Sequence, residues 1–305
     1  MGAVFLGTPA PAVPSLYALA DVADVDLVIT QPDRRAGRGA VRQASPVKVA
    51  ANYSGFPVLQ PESAEELVRG LEGKDFDFGL VVAYGRILTP DMLATTRYGF
   101  LNVHFSLLPR WRGAAPVERA IAAGDARTGV TLMKIDEGLD TGPVLGEIAT
   151  PIDPSETGGS LTARLAFLGA SLVDRTIPEY LAGRRIPVPQ IDAGKTHAKR
   201  LSKAEAMLDP SWDAVRAERA VRAFNPRPGA WFSTPDGVLR VHAATFTTAY
   251  SEPGVIAPSN GEVIAGFEDG ALALGVVQPE GKQRMDASAW ANGRRGEGTT
   301  FVGAS

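Results

Sequence analysis

Ala3-Val4-Phe5-Leu6-Gly7-Thr8-Pro9 is a short apolar run stopped by a turn, the start of an alternating pattern that runs through the first half of the chain. Four apolar residues in succession, with no polar alternation, read as a buried strand, and Gly7-Thr8-Pro9 ends it. Ser15–Val25 follows with apolar residues at helical spacing (Leu16, Leu19, Ala20), and Ser15 is expected as the N-cap after Pro14. Asp26–Thr30 is a second apolar run, stopped by Gln31-Pro32-Asp33. Strand, helix and strand in this order describe a unit whose two strands run parallel.

The same alternation continues outward. Phe78–Ala83, Leu101–Phe105 and Val130–Ile135 read as strands; Pro46–Tyr53, Ala64–Leu71, Ala114–Ala123 and Leu161–Leu181 read as helices. An α/β domain with a mainly parallel, doubly wound sheet is predicted through residue 183, and its ligands belong beyond the carboxyl ends of the strands. From Arg184 the texture changes. Ile186-Pro187-Val188-Pro189 is extended, and Arg184, Arg185, Lys195, Lys199, Arg200 and Lys203 stand against Asp192 alone, so residues 184–203 read as a basic linker. Beyond it one helix, Trp212–Phe224, precedes the short apolar runs Val238–Val241, Glu262–Ala265 and Ala271–Val277, the pattern of a small β-barrel over residues 204–305.

Composition narrows the chemistry. With 305 residues the chain is long enough for two domains, and 45% hydrophobic against 21% charged residues is a globular balance. No cysteine is present, which removes thiol nucleophiles, disulfides and thiolate-bound zinc. His104, His197 and His242 are widely separated, so no metal site is expected. The first basic residue is Arg34, so the opening residues are expected to belong to the fold rather than to a targeting segment. No apolar run approaches the roughly 18 residues that span a bilayer, and a cytoplasmic protein is expected. The formal charge of −3 conceals local excess: Gln31–Lys48 sets Arg34, Arg35, Arg38, Arg42 and Lys48 against Asp33. That loop, just past a strand's carboxyl end, is either a solvated surface or an anion-binding element.

The densest candidate stretch is Leu101-Asn102-Val103-His104-Phe105-Ser106-Leu107-Leu108-Pro109. Along a strand Asn102 and His104 share one face while Leu101, Val103 and Phe105 take the other. Two polar groups at a strand's end are poor core residues, although a lone histidine is often simply hydrogen-bonded inside. Asp136-Glu137-Gly138-Leu139-Asp140-Thr141-Gly142 is the second stretch. Its glycines let the backbone approach a ligand, while the competing reading has the aspartate bonding its own turn. An Asn, a His and an Asp at neighbouring strand ends suit acyl transfer: an oxyanion donor, a base and an acid that orients the base.

Other motifs fail. Gly194-Lys195-Thr196 lacks the first glycine of a P-loop, since Pro189 stands there, and Ala36-Gly37-Arg38-Gly39 has Arg42 where a dinucleotide fingerprint needs its third glycine. A Gly-x-Ser-x-Gly elbow and a His-Glu-x-x-His helix are both missing from the sequence.

Asn102 to Pro109, Trp111-Arg112-Gly113-Ala114-Ala115-Pro116 and Gly138 to Gly142 resemble the signature of the folate-dependent formyltransferases. Gln31-Pro32-Asp33, Gly37-Arg38-Gly39, Ser45-Pro46-Val47-Lys48, Leu201-Ser202-Lys203 and Phe224-Asn225-Pro226 resemble those members that act on methionyl initiator tRNA. The resemblance implies a Rossmann-like formyltransferase core followed by an OB-like barrel, and transfer of a formyl group from 10-formyltetrahydrofolate to the α-amine of methionine on the tRNA. It implies catalytic roles for Asn102, His104 and Asp140, folate contacts at Ser106, Leu107, Leu108 and Pro109, and tRNA contacts at Arg34, Arg38, Arg42 and Lys203. The partners expected are therefore the tRNA and the folate, with no membrane and a monomeric protein. Three readings compete: a formyltransferase for a sugar nucleotide or a small ribonucleotide amine, an oxidoreductase binding a dinucleotide, and an RNA-binding module without catalysis. The basic loop, the missing fingerprint and the Asn-His-Asp set argue against them in turn.

Overall fold

The chain is described here by a computed structural model covering residues 1–36 and 41–303. It divides into two compact units, each assembled from separate stretches of chain. The first comprises Met1–Pro116, Arg127–Pro151 and Thr162–Ala198; the second comprises Val117–Ala126, Ile152–Leu161 and the chain from Lys199 onward.

A seven-stranded sheet forms the first unit. Its spatial order is Val144–Pro151, Arg127–Lys134, Phe100–His104, Phe78–Val82, Gly2–Gly7, Asp24–Ile29 and Val58–Leu59. The last five run parallel, and the first two are antiparallel additions at one edge. Gly2–Gly7 and Phe78–Val82 are buried almost throughout, which is why they are written as unbroken apolar runs. The strand order reverses between these two, so the crevice outside their carboxyl ends is the natural ligand position.

The predicted helices Pro46–Tyr53 and Ala64–Leu71 form with those limits, capped by Ser45 and Ser63, whose hydroxyls accept from the Lys48 and Glu66 amides. Ser15 is not a cap. The first long helix is Val13–Val22, preceded by a 3-10 turn at Ala10–Ala12, and Ser15 is buried inside its first turn. An unexpected hairpin pairs Arg34–Ala36 with Val41–Gln43. The edge strand Val144–Pro151 is not marked by the sequence, because Gly146, Glu147, Thr150 and Pro151 give it the composition of a loop.

The boundaries expected at residues 183 and 203 do not coincide with the compact units. Residues 184–198 are built into the first unit: Val188 exchanges two backbone hydrogen bonds with Val144 (2.7 and 2.8 Å), and His197–Ala198 pairs with Arg112–Gly113.

The second unit is an antiparallel sheet ordered Ala230–Thr234, Gly237–Thr247, Ala271–Pro279, Glu262–Gly266, Val255–Ser259 and Thr299–Thr300. Thr299–Thr300 pairs with one edge, and Val302 bridges Ser233 on the other, so the sheet closes on itself. Phe232, Phe267 and Phe301 fill its interior, with the Phe232 and Phe301 rings 4.4 Å apart. Asp213 caps the helix Ala214–Ala223. Among the described residues no helix is long and apolar enough to cross a membrane.

Candidate active site

Asn102 and His104 lie in Phe100–His104, between the parallel neighbour Phe78–Val82 and the antiparallel neighbour Arg127–Lys134. His104 is buried, and its Nε2 is 2.9 Å from the backbone carbonyl of Trp111. A carbonyl oxygen only accepts, so this contact fixes the proton on Nε2. The other ring nitrogen, Nδ1, faces Asp140 Oδ2 at 3.7 Å, outside hydrogen-bond range. Nδ1 therefore makes no hydrogen bond to Asp140.

Asp140 reaches this point from the turn after Arg127–Lys134. Its backbone is left-handed, with φ 53°, and its carboxylate crosses to the strand: Oδ2 accepts from the Gly113 amide at 2.8 Å, and Oδ1 faces Asn102 Nδ2 at 3.5 Å. The capping that a glycine-rich turn requires is done by a different residue. Asp136 Oδ1 accepts from the Gly138 amide (3.0 Å) and the Thr141 hydroxyl (2.6 Å), which frees Asp140 for long-range work. Gly142 closes the turn against the Lys134 carbonyl, where any Cβ would collide. Gly113 has φ 121°, and a Cβ there would lie 2.7 Å from the Ala198 carbonyl oxygen, so glycine permits both the backbone conformation and the amide contact to Asp140.

The four residues after Phe105 shape the turn beyond this strand. Ser106 is fully buried and its hydroxyl donates to the Arg110 carbonyl at 2.6 Å. The Ser106 carbonyl and the Leu108 amide are both held by the Thr131 hydroxyl. Leu107 packs against Gly129, while Leu108 and Pro109 line an open groove of about 330 Å³ with Leu145, Val188, Gln190 and Ile191.

Arg34 and Arg42 are exposed on the two strands of the hairpin, and Arg38 lies outside the described residues. Asp33 anchors the hairpin's base, bonded by Lys48 Nζ at 2.8 Å and Gln60 Nε2 at 2.7 Å. The Lys48 bond, with Gln60 second, holds the Asp33 carboxyl below the ordinary carboxylate range. Lys203 is exposed in the second unit, its carbonyl accepting from Trp231 Nε1. In the predicted basic linker, Arg184 is paired with Glu179, Arg185 with the Leu145 carbonyl and Lys195 with Asp192, while Lys199, Arg200 and Lys203 are exposed.

Sequence reasoning missed the residues that hold the trio in place. The Trp111 carbonyl acts through backbone in a left-handed residue (φ 64°), and the Trp111 amide donates to the Thr196 hydroxyl at 2.9 Å. Arg112 is buried with its guanidinium on Gln190 Oε1. No local pattern marks Gln190 or Thr196, whose partners lie far away along the chain.

The formyl transferase family pattern matches residues 14–177, and the formyl transferase C-terminal domain matches residues 200–295. The chain belongs to the formyl transferase family. A methionyl-tRNA formyltransferase of Halorhodospira halophila is 47% identical over 300 residues, covering 96% of each chain. Another from Mycobacteroides abscessus is 44% identical, covering 97% of each. Among solved structures, the N-formyltransferase of Helicobacter canadensis in complex with folinic acid and dTDP-3-aminofucose superposes with a TM-score of 0.67. It is 18% identical, covering 89% of this chain and 98% of that one, a likeness of formyl transferase fold.

Proposed function

We propose that this formyl transferase moves the formyl group of 10-formyltetrahydrofolate onto the α-amine of methionine carried by initiator tRNA, a step of translation initiation and so of the cytoplasm. The observation that carries the chemistry is the meeting of the Asn102 amide, His104 Nδ1 and the Asp140 carboxylate on the carboxyl-end side of the sheet. The acceptor rests on similarity to methionyl-tRNA formyltransferases over nearly the full chain, and on the exposed Arg34 and Arg42 of the hairpin.

The amine attacks the formyl carbon directly. The one hydroxyl within the Asn102–Pro109 stretch, on Ser106, is committed to the Arg110 carbonyl, which agrees with transfer without an acyl-enzyme. As the amine adds, negative charge grows on the formyl oxygen, where the Asn102 amide donates. His104 takes the amine proton at Nδ1, since Nε2 is the ring nitrogen held by the Trp111 carbonyl. Asp140 stabilises the imidazolium so formed. That proton then passes to the departing folate nitrogen as its bond to the formyl carbon breaks, and the ring returns to its starting state.

Phosphate contacts from the exposed arginines and lysines make tRNA binding salt-dependent. The acceptor is tested by supplying 10-formyltetrahydrofolate with charged initiator tRNA, charged elongator tRNA, a dTDP-amino sugar or a small ribonucleotide amine. Formylation confined to the initiator species is expected. Preferential formylation of a small amine overturns the tRNA assignment while leaving formyl transfer intact.

A further inference from the structure

Gln190 stands in a segment that composition marks as a linker, yet all its side-chain hydrogen-bonding capacity is spent at the active site. Its Nε2 donates to the carbonyls of Asp140 (3.0 Å) and Gly142 (2.7 Å), one on each side of Thr141. Its Oε1 accepts from Arg112 Nε (3.1 Å) and Nη2 (2.7 Å). Two donor hydrogens and two acceptor positions are the full inventory of a carboxamide.

The two ends of this amide hold two different parts of the site. Arg112 precedes Gly113, whose amide binds the Asp140 carboxylate, and the carbonyls bound by Nε2 belong to the turn that presents Asp140. Gln190 therefore ties the strand that grips the carboxylate to the turn that carries it. The tie matters because Asp140 has φ 53°, a left-handed backbone that a residue with a Cβ resists without outside support. The anchor itself is rigid: Val188, two residues earlier, is paired through both backbone groups with Val144. Arg112 is buried, and its remaining ionic partner, Asp192 at 3.4 Å, is largely exposed, so Gln190 is the close partner of that guanidinium.

We infer that Gln190 is a positioning residue for formyl transfer, setting the Asp140 carboxylate against His104 Nδ1 and Asn102 without touching substrate. The inference rests on the formyl-transfer reading above and deepens it. It makes the segment around residue 190 part of the catalytic unit, and its demand is chemical: the side chain must accept from Arg112 and donate to two carbonyls at once. Alanine supplies neither function. Glutamate keeps the acceptor for Arg112 but sets a carboxylate against the Asp140 and Gly142 carbonyls.

The test uses the full chain as wild type, Gln190→Ala and Gln190→Glu, with steady-state formyl transfer, thermal unfolding and NMR of ¹⁵N-labelled histidine. Only His104, His197 and His242 contribute signals. Both variants are expected to lose about tenfold to a hundredfold in kcat, the scale of a misplaced catalytic group. KM for folate and tRNA should be retained, because the lost interactions serve the transition state rather than binding. The ring signals of His104 should move while those of His242 hold. Gln190→Glu keeps a partner for the buried Arg112 and so reads the turn contacts in a folded protein if the alanine variant unfolds. Wild-type kcat in Gln190→Glu, a loss confined to KM, or a loss of kcat with His104 signals unmoved each overturn the positioning role. A wild type that transfers no formyl group removes the underlying reading first, and that result is read before either variant.

Discussion

The backbone carbonyl of Trp111 lies 2.9 Å from His104 Nε2, and this contact leaves the other ring nitrogen, Nδ1, facing Asp140. With Nε2 held as a donor, Nδ1 is turned to the space shared with Asp140 and Asn102. In the proposed mechanism the role of His104 is thus set by a backbone atom seven residues along the chain.

In the proposed mechanism, replacing Asn102 by alanine removes the amide that donates to the growing oxyanion. Such a loss costs about 10²–10³ in rate. For His104→Ala, loss of the base costs about 10²–10⁴. Both proteins should still unfold cooperatively in thermal denaturation, Asn102→Ala near the wild-type temperature and His104→Ala below it, since that change also removes a buried ring bonded to the Trp111 carbonyl. Near-wild-type turnover in either variant removes that residue from the mechanism.

Thr196 supports His104 at one remove. Its hydroxyl accepts from the Trp111 amide at 2.9 Å, and Thr196→Val leaves that amide without its partner. Losing one such hydrogen bond costs about 1 kcal/mol of stability, measurable by urea unfolding. The rate should fall with it, because Trp111 sets the ring. Thr196→Ser keeps the acceptor and should restore both.

Asp33 fixes the base of the basic hairpin through Lys48 and Gln60. Asp33→Asn should raise KM for tRNA and leave KM for folate unchanged. The carboxyl is depressed in the folded protein, so the tether is present throughout the ordinary carboxylate range and above. It is lost only as pH falls below that range through the depressed value. Hairpin amide exchange that accelerates only on that acid side fits this sign; loosening near neutrality contradicts it.

Arg34 and Arg42 are exposed on paired strands. If they meet phosphates, Arg34→Ala and Arg42→Ala should weaken tRNA binding, each lowering the slope of log K against log salt by about one. Filter binding across a salt series measures this. An unchanged slope assigns the hairpin to another role.

Strands buried on both faces, such as Gly2–Gly7 and Phe78–Val82, were legible because burial on both sides leaves no alternation to misread. Val144–Pro151 was not, since an edge strand with one open face shares its polar content with loops. Asn102 and His104 stood out as polar residues on one face at the end of an apolar strand, and Asp140 as a carboxylate between glycines in the turn after another. Gln190 and Thr196 did not, because their partners are backbone atoms or an arginine roughly 50 to 85 residues away. Net charge misdirected the reading of residues 184–203. A net count sets Arg184 and Lys195 among the linker's excess cations, whereas each has a carboxylate beside it.

The central claim is tested most directly by incubating the protein with 10-formyltetrahydrofolate and methionyl initiator tRNA, hydrolysing the ester and identifying the released amino acid. N-formylmethionine is expected with wild type, and at least a hundredfold slower appearance with Asn102→Ala, the scale of a lost oxyanion donor. Free methionine alone from the wild-type reaction, under conditions where the tRNA binds, would contradict it.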